Sequence, residues 1–180
     1  MYGGGWVYGM RENRVSLGLV VGLEYANPLF DPHEAFQRYK THPFIRRIIE
    51  DGKLVRYGAK TIPEGGWYSM PRTYVDGGLI IGDSASFLDA QRLKGVHMAI
   101  KSGMFAAETI FDALCAGDTS ATVLAAFHKK VEQSWIRKQL WAVRNFHQSF
   151  QYGLWGGMFH AGAQFLTGGR GLIDPMRVHP

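Results

Sequence analysis

The clearest pattern of apolar and polar positions runs from residue 77 to residue 117 and predicts a strand, a loop and a long helix. Residues 79–81 form a short apolar run bounded by glycines, which is typical of a strand covered on both faces. Gly95 precedes the helix, and Gly117 predicts its C-terminal cap. The expected buried stripe has helical spacing and several small members, which would let the helix approach a sheet closely. Its members are Ala99, Gly103, Ala106, Ala107, Ile110 and Leu114.

The two junctions of this stretch carry groups that suit a flavin. Asp83, just beyond the strand, can accept hydrogen bonds from sugar-like hydroxyls, and Gly82 permits the turn. The helix that opens at Gly95 and Val96 offers free N–H groups and a positive dipole end to an anion. A flavin has a ribityl chain and a ring that carries negative charge when reduced. These residues alone favour an ordinary strand–loop–helix unit in which Asp83 caps a turn, but with the rest of the sequence we favour the flavin.

Other apolar runs predict a hairpin and several helices around this unit. A strand that ends at Met10, a turn at residues 11–13 and a strand over residues 15–23 form the expected hairpin. Asp31 predicts the N-cap of a helix, with Pro32 at its first position. The remaining expected elements are helices over residues 32–40 and 44–50, a strand over residues 55–62, and a helix from residue 121 into the 140s.

Composition narrows the chemistry without supplying a catalytic group. The 180 residues are 46% hydrophobic and 19% charged, which is typical of a globular protein. Cys115 is the only cysteine of the sequence, so it excludes an internal disulfide, and its place on the apolar helix predicts a packed thiol. His33 and His42 lack ligand spacing and are expected to be solvated or to cap helices. The sequence contains no hydrolase, zinc-protease or phosphate-binding-loop motif, so we predict neither catalytic residues nor a metal site.

The positive charge is concentrated in the last third of the chain. The first 120 residues carry as many acidic as basic residues, so the whole excess of +5 lies in residues 121–180. Residues 145–169 contain no Lys, Arg, Asp or Glu but too many polar residues to cross a bilayer. We expect a segment that dips into one leaflet, with basic residues, Arg144 among them, near the headgroups. An alternative is a core helix pair whose partner domain is elsewhere. The expected inserted residues are Trp155, Phe159 and Phe165.

Several segments resemble one flavoprotein family. GLIIGDSASF followed by LKGVHMAIKSGMFAAE is similar to the second flavin motif of electron transfer flavoprotein–ubiquinone oxidoreductases, and more distantly to geranylgeranyl reductases and aromatic hydroxylases. The similarity continues through YGGGW, GLVVGLEYANPLFDPHEAFQRYKTHPFIRRIIEDGK, YGAKTIPEGGWYSMP and SWIRKQLWAVRNFHQSF. Family members are longer, with an N-terminal Gly-x-Gly-x-x-Gly loop and a C-terminal cysteine cluster for a [4Fe-4S] centre. This sequence has neither, so we expect it to represent the middle of such an enzyme.

The resemblance implies an α+β fold with three parts. Residues 1–70 would form a quinone-binding antiparallel sheet with covering helices, and residues 71–120 the second FAD-binding motif. Residues 121–180 would form a helical, membrane-associating segment. The implied protein is peripheral, on the matrix face of the mitochondrial inner membrane or the cytoplasmic face of a bacterial inner membrane.

The resemblance also implies cofactors, partners and sites. Electrons would pass from electron-transferring flavoprotein through the [4Fe-4S] centre and FAD to ubiquinone, with a membrane surface but no nucleic acid as a further partner. The matching Tyr-Gly-Gly, at Tyr2, Gly3 and Gly4, would lie against the quinone headgroup, since bare backbone can approach a carbonyl closely. The implied FAD-binding residues are Gly82, Asp83, Gly95 and Val96.

Three departures from the family pattern bear on the flavin motif. Val96 stands where a hydroxyl or amide side chain is common, so only its backbone can donate. Gln91 replaces a usual proline and Ser86 a usual glycine, and both changes question the loop geometry. Two alternatives stay open: a related flavoprotein acting on a prenyl lipid or aromatic substrate, and a non-catalytic basic fragment that binds membranes.

Overall fold

The computed structural model describes residues 3–176, and the chain divides into two compact units between Ala59 and Lys60. The first unit contains an antiparallel hairpin of β1 (Gly3–Met10) and β2 (Arg14–Val21). Its register pairs Gly3 with Val21 and Met10 with Arg14, which leaves a three-residue turn. The predicted hairpin is therefore confirmed.

Two short helices follow the hairpin, and both begin as the sequence predicts. They are α1 (Pro32–Lys40) and α2 (Pro43–Ile49). The Asp31 carboxylate accepts the His33 N–H at 2.7 Å, and the His42 ring accepts the Phe44 N–H at 3.3 Å. Each helix has proline at its first position, where no N–H is needed. His42 was expected to be solvated or to cap a helix, and it caps α2.

The strand predicted over residues 55–62 is wrong. Residues 52–66 have no regular secondary structure, and Leu54, Val55 and Tyr57 are exposed. Alternation stabilises a strand only where a neighbouring strand satisfies its backbone and a core covers one face. Within residues 3–176, no strand pairs with this segment.

The second unit is mainly helical. Its two strands, β3 (Tyr74–Val75) and β4 (Gly78–Leu79), form a minimal hairpin. Its helices are α3 (Val96–Ala116), α4 (Ala121–Glu132), α5 (Trp135–Ala142), α6 (Phe146–Ser149) and α7 (Gly153–Leu166). Its core cluster comprises Ala85, Phe87, Met98, Ala106, Phe127, Val131, Ile136 and Leu140. Helices and small antiparallel hairpins together confirm the α+β class.

The strand predicted to be buried at residues 79–81 is wrong beyond its first residue. Leu79 pairs with Tyr74, but Ile80 and Ile81 remain 40% and 41% exposed. A strand is covered on both faces only inside a sheet with helices on both sides. Among the described residues β4 pairs only with β3, so the isoleucines have no such cover.

Helix α3 forms where predicted, between Gly95 and Gly117, but buries a different face. Ile110 and Leu114, expected in the buried stripe, are exposed, because α3 packs on α4 and not on a sheet. Cys115 is also exposed, so the prediction of a packed thiol is wrong. The buried positions are Met98, Ser102, Ala106, Thr109 and Ala113.

The long helix predicted from residue 121 is interrupted. Helix α4 ends at Glu132, and the Ser134 hydroxyl caps α5 by accepting the Ile136 N–H at 3.1 Å. A serine hydroxyl can accept a nearby backbone N–H group that would otherwise donate to a helical carbonyl. This competition explains why the helix breaks here. No helix within residues 3–176 is long and apolar enough to cross a membrane.

Candidate functional site

Both ends of the loop between β4 and α3 contact the N-terminal half of α3. The Gly82 N–H donates to Ser102 Oγ at 3.1 Å, and a Cβ added to Gly82 would lie 3.5 Å from Ala99 Cβ. At the other end, the Ala99 N–H donates to the Gly95 carbonyl at 2.8 Å. A Cβ added to Gly95 would lie 3.0 Å from Leu88 Cδ1. The fold thus brings Gly82 and Gly95 to the same end of α3.

Asp83 lies in the short 3₁₀ turn Gly82–Ala85 at the start of this loop. Its side chain is 43% exposed, and its Oδ2 lies 3.0 Å from Lys60 Nζ. The hydrogen bond from Lys60, and then its charge, lower the pKa of Asp83. Asp83 therefore presents an ionised acceptor at the surface.

The first turn of α3 starts without a capping side chain. Gly95 is the N-cap and provides no side-chain oxygen, and Val96 is largely exposed. The first N–H groups of a helix have no partner within the helix. This end of α3 is therefore able to donate hydrogen bonds to a bound acceptor.

Ser86 adopts a left-handed conformation, with φ of 62°. This backbone region favours glycine, which fits the expectation from the family resemblance that glycine suits this position better than serine. The loop nevertheless closes, because the Ser86 N–H donates to the Asp83 carbonyl at 2.8 Å. The departure at position 86 strains the loop without opening it.

Asp89 organises the rest of the loop, although the sequence did not single it out. It is fully buried, and its Oδ1 accepts the N–H groups of Gln91 and Arg92 at 3.1 and 3.0 Å. Its Oδ2 accepts Arg92 Nη1 at 2.7 Å and Gln139 Nε2 at 2.9 Å. The signal available in the sequence was an aspartate followed three residues later by arginine, which alone is common in turns.

The glycines of β1 differ in what surrounds them. A Cβ added to Gly5 would lie 3.0 Å from the Tyr39 ring, so Gly5 makes room for an aromatic side chain. A Cβ added to Gly4 would have no atom within 4 Å. Gly3 and Gly4 are exposed, whereas Tyr2, the third expected quinone-binding residue, lies outside the described residues. Internal packing therefore does not require a glycine at position 4, and the glycine leaves its backbone accessible.

An ion pair between the buried Arg144 and the partly exposed carboxylate of Asp174 fixes the chain after α7. Arg144 donates to both oxygens of Asp174, from Nε at 3.0 Å and from Nη2 at 2.7 Å. Asn145 Nδ2 and the Tyr68 hydroxyl each donate to Asp174 Oδ1 at 2.9 Å. Arg144 is buried, so the expectation that it lies near lipid headgroups is wrong.

A second buried polar group lies between α6 and α7. His160 Nδ1 lies 3.2 Å from Ser149 Oγ and 2.7 Å from Gln164 Nε2, and His160 Nε2 accepts the Leu172 N–H at 3.3 Å. Burial lowers the pKa of His160. The histidine is therefore neutral near pH 7 and serves as a structural hydrogen-bonding group.

One face of α7 is apolar and exposed. Trp155, Phe159 and Phe165 are 80%, 71% and 78% exposed, and Leu154, Met158 and Leu166 extend the same surface. The opposite face is buried through Gly157, His160 and Gln164. We call these six exposed residues the α7 apolar face. Exposed apolar patches of this kind mark contacts with another surface.

Comparison with known proteins supports the interpretation of the sequence. Residues 1–62 match the family described as "ETF-QO, ubiquinone-binding". The chain is 46% identical over 157 residues to the mitochondrial electron transfer flavoprotein–ubiquinone oxidoreductase of Arabidopsis thaliana, covering 87% of this chain and 24% of that protein. For the relative so named in Caenorhabditis elegans the identity is 42% over 178 residues, 95% of this chain and 30% of that protein.

The human relative of that name is 41% identical over 169 residues, covering 89% of this chain and 27% of that protein. The chain therefore spans 24% to 30% of the length of these relatives. The resemblance is thus confirmed: this chain matches a segment of electron transfer flavoprotein–ubiquinone oxidoreductase that includes the family's ubiquinone-binding region.

Proposed function

We propose that the chain acts in electron transfer from electron-transferring flavoprotein to ubiquinone. One observation carries the proposal: the ubiquinone-binding family match at residues 1–62 includes a hairpin with open backbone at Gly4. Reduction of ubiquinone to ubiquinol consumes two electrons and two protons. The chain's part is to bind and orient the cofactor and the quinone, because in a flavin-dependent electron transfer the cofactor carries the redox chemistry. The comparisons do not favour the prenyl-lipid, aromatic-substrate or non-catalytic alternatives.

The loop at the start of α3 fits a flavin as the second half of an FAD site. Asp83 offers an ionised acceptor for ribityl hydroxyls, and Gly82 permits the turn at φ of 63°. Gly95 and the Val96 N–H would donate to the flavin's pyrimidine edge. A bound FAD supplies the redox chemistry, whereas a [4Fe-4S] centre would need ligands that this sequence lacks.

We further propose the division of labour expected from the sequence. Residues 1–70 bind quinone, residues 71–120 hold the flavin, and residues 121–180 contact a membrane through the α7 apolar face. The mitochondrial names of the relatives support a place at the mitochondrial inner membrane, as a peripheral protein on the matrix face, or on the cytoplasmic face of a bacterial inner membrane.

Gly4→Val is expected to weaken quinone binding at least tenfold while keeping the hairpin. A side chain at Gly4 would enter space where no protein atom lies within 4 Å, so it obstructs a ligand and not the fold. The measurement is an NMR titration of the ¹⁵N-labelled chain with a one-isoprene ubiquinone, following the amides of Gly3 and Gly4.

Gly9→Val is the matched control, because a Cβ at Gly9 also meets nothing within 4 Å. Gly9 is an odd number of residues from Gly4 and so lies on the other face of β1. Equal weakening by both variants, or no shift of the Gly3 and Gly4 amides in the unmodified chain, would contradict a quinone site here.

Riboflavin is expected to bind the chain weakly, with a dissociation constant on the order of 1 mM, and FAD hardly better. Riboflavin has the ring and the ribityl chain but no pyrophosphate, so it needs only this half of the site. We expect amide shifts at residues 82–83 and 95–96, and their loss in Asp83→Asn. Asp118→Asn is the control, since Asp118 is an exposed aspartate that caps a different turn. Tight stoichiometric FAD binding would contradict the proposal of a half-site.

A further inference from the structure

Gln139 of α5 connects the two arms of the proposed flavin site. Its Nε2 donates to Asp89 Oδ2 in the loop at 2.9 Å. Its Oε1 lies 3.1 Å from Nε2 of His97, in the first turn of α3. The His97 ring also stacks on Trp135, with centroids 5.4 Å apart and an interplanar angle of 5°. Gln139 lies outside residues 71–120, the predicted flavin motif, so that motif gives no reason to single it out.

The chemistry of these groups fixes which atoms donate. All four hydrogen bonds of the Asp89 carboxylate are accepted from N–H groups, so the carboxylate acts only as an acceptor. Gln139 must therefore turn its NH₂ group to Asp89 and its carbonyl oxygen to His97. A carbonyl oxygen accepts but cannot donate, so His97 Nε2 must carry the proton. In the neutral ring, Nδ1 is then left as an acceptor.

We propose that Gln139 and Asp89 are positioning residues that hold His97 as its Nε2–H tautomer and join the loop to the start of α3. This inference rests on the proposed flavin function for its significance. There Nδ1 would be an acceptor on the residue that follows the donor amides of Gly95 and Val96 in the chain, and a flavin's pyrimidine edge carries both kinds of group. If the proton were on Nδ1, that nitrogen would donate as the helix amides do, and the site would lack this acceptor.

Asp89→Asn provides the sharpest test. The two backbone N–H groups keep the side-chain oxygen in its place, so the new NH₂ group replaces Oδ2 and faces both Gln139 and the Arg92 guanidinium. The Arg92 side chain is 57% exposed, so it can turn to solvent, and Gln139 is left facing the new donor. The Gln139 amide must then rotate, and its NH₂ turns to His97. His97 Nε2 must accept, so the proton moves to Nδ1. The predicted result is an exchange of the ¹⁵N shifts of the two ring nitrogens.

The double variant Asp89→Asn with Gln139→Glu is expected to reverse this change. The carboxylate at position 139 accepts from the new NH₂ group and from His97, which restores the Nε2–H tautomer. Gln139→Glu alone places two carboxylates within hydrogen-bonding distance, and it is expected to lower the urea midpoint. The ring shifts are measured at about pH 8.5, where an ordinary imidazole is neutral, with His97→Gln to assign the signals.

Each outcome decides the matter. If the two ring ¹⁵N shifts do not exchange in a folded Asp89→Asn chain, the inference is overturned. It is also overturned if the proton stays on Nδ1 in the double variant. If Asp89→Asn does not fold, the double variant alone tests the arrangement. Riboflavin titration separates the two proposals. Tautomer switching without any riboflavin shifts supports the positioning network and removes the flavin function. Riboflavin shifts that are unaffected by Asp89→Asn remove the network's role at the site.

Discussion

Asp174→Asn is expected to lower the free energy of unfolding by about 3 kcal/mol, because it leaves the buried Arg144 guanidinium without a counter-charge. Arg144 contacts Asp174 through two nitrogens, and two further donors, Tyr68 and Asn145, converge on the same carboxylate. The substitution keeps the size of the side chain. Its effect therefore measures the loss of the charge and of one accepting oxygen, and not a cavity.

Urea denaturation provides the measurement, and Asp112→Asn provides the control. Asp112 is 73% exposed, and its Oδ2 lies as far as 4.0 Å from Lys130 Nζ. Loss of its charge is therefore expected to change stability by less than about 0.5 kcal/mol. Arg144→Met combined with Asp174→Asn is expected to be less destabilising than the sum of the single changes, because no buried charge is left unpaired. Equal effects of Asp174→Asn and Asp112→Asn would contradict a stabilising role of the Arg144–Asp174 pair.

The same substitution has a defined pH signature. The hydrogen bond from Arg144 holds the pKa of Asp174 far below its ordinary value of 3.8. The folded carboxylate therefore binds a proton more weakly than the unfolded one, so its contribution is complete above pH 3.8 and is lost as the pH falls below it. His160, whose pKa is lowered by burial, removes stability in a separate range below its ordinary 6.5. Asp174→Asn should flatten only the more acidic range.

Trp155→Asp is expected to weaken binding to anionic vesicles about 30-fold, which corresponds to about 2 kcal/mol for one large aromatic side chain. The side chain is 80% exposed and belongs to the α7 apolar face. Its substitution therefore removes membrane contact without removing a core contact. Helix α7 contains no charged residue, so the introduced carboxylate also meets the headgroups unpaired.

Phe111→Asp is the matched control for the membrane prediction. Phe111 is another exposed aromatic residue of the same unit but lies on α3. Cosedimentation with vesicles of mixed zwitterionic and anionic lipid compares the two variants. Equal pelleting of Trp155→Asp and the unmodified chain would count against insertion of α7. Equal loss in both variants would indicate nonspecific hydrophobic adsorption.

Local signals determined what could be predicted from the sequence. The caps at Asp31 and His42, the ends of α3 at Gly95 and Gly117, and the β1–β2 hairpin depend on neighbouring residues, and all were predicted correctly. The predictions failed where residues far away in the chain determine the local structure. Ile80 and Ile81 need a covering sheet to be buried, and the predicted strand over residues 55–62 needs a neighbouring strand.

The polar interior could not be predicted for the same reason. Arg144 looks like a surface cation in the sequence, because its partner Asp174 is 30 residues away. Asp89 and Gln139 are 50 residues apart, and only the packing of α5 beside the loop brings them together. The candidate flavin residues could be proposed because they lie within one short stretch, residues 82–96, that resembles a known flavin motif.

Cys115 gives the molecule one chemically addressable point. It is the sole thiol of the sequence, it is exposed, and it lies at the far end of α3 from Gly95. A helix of 21 residues is about 30 Å long, so a maleimide dye attached there would sit roughly that far from the loop. That separation suits resonance energy transfer from a bound fluorescent ring, and it leaves every proposed contact residue unmodified.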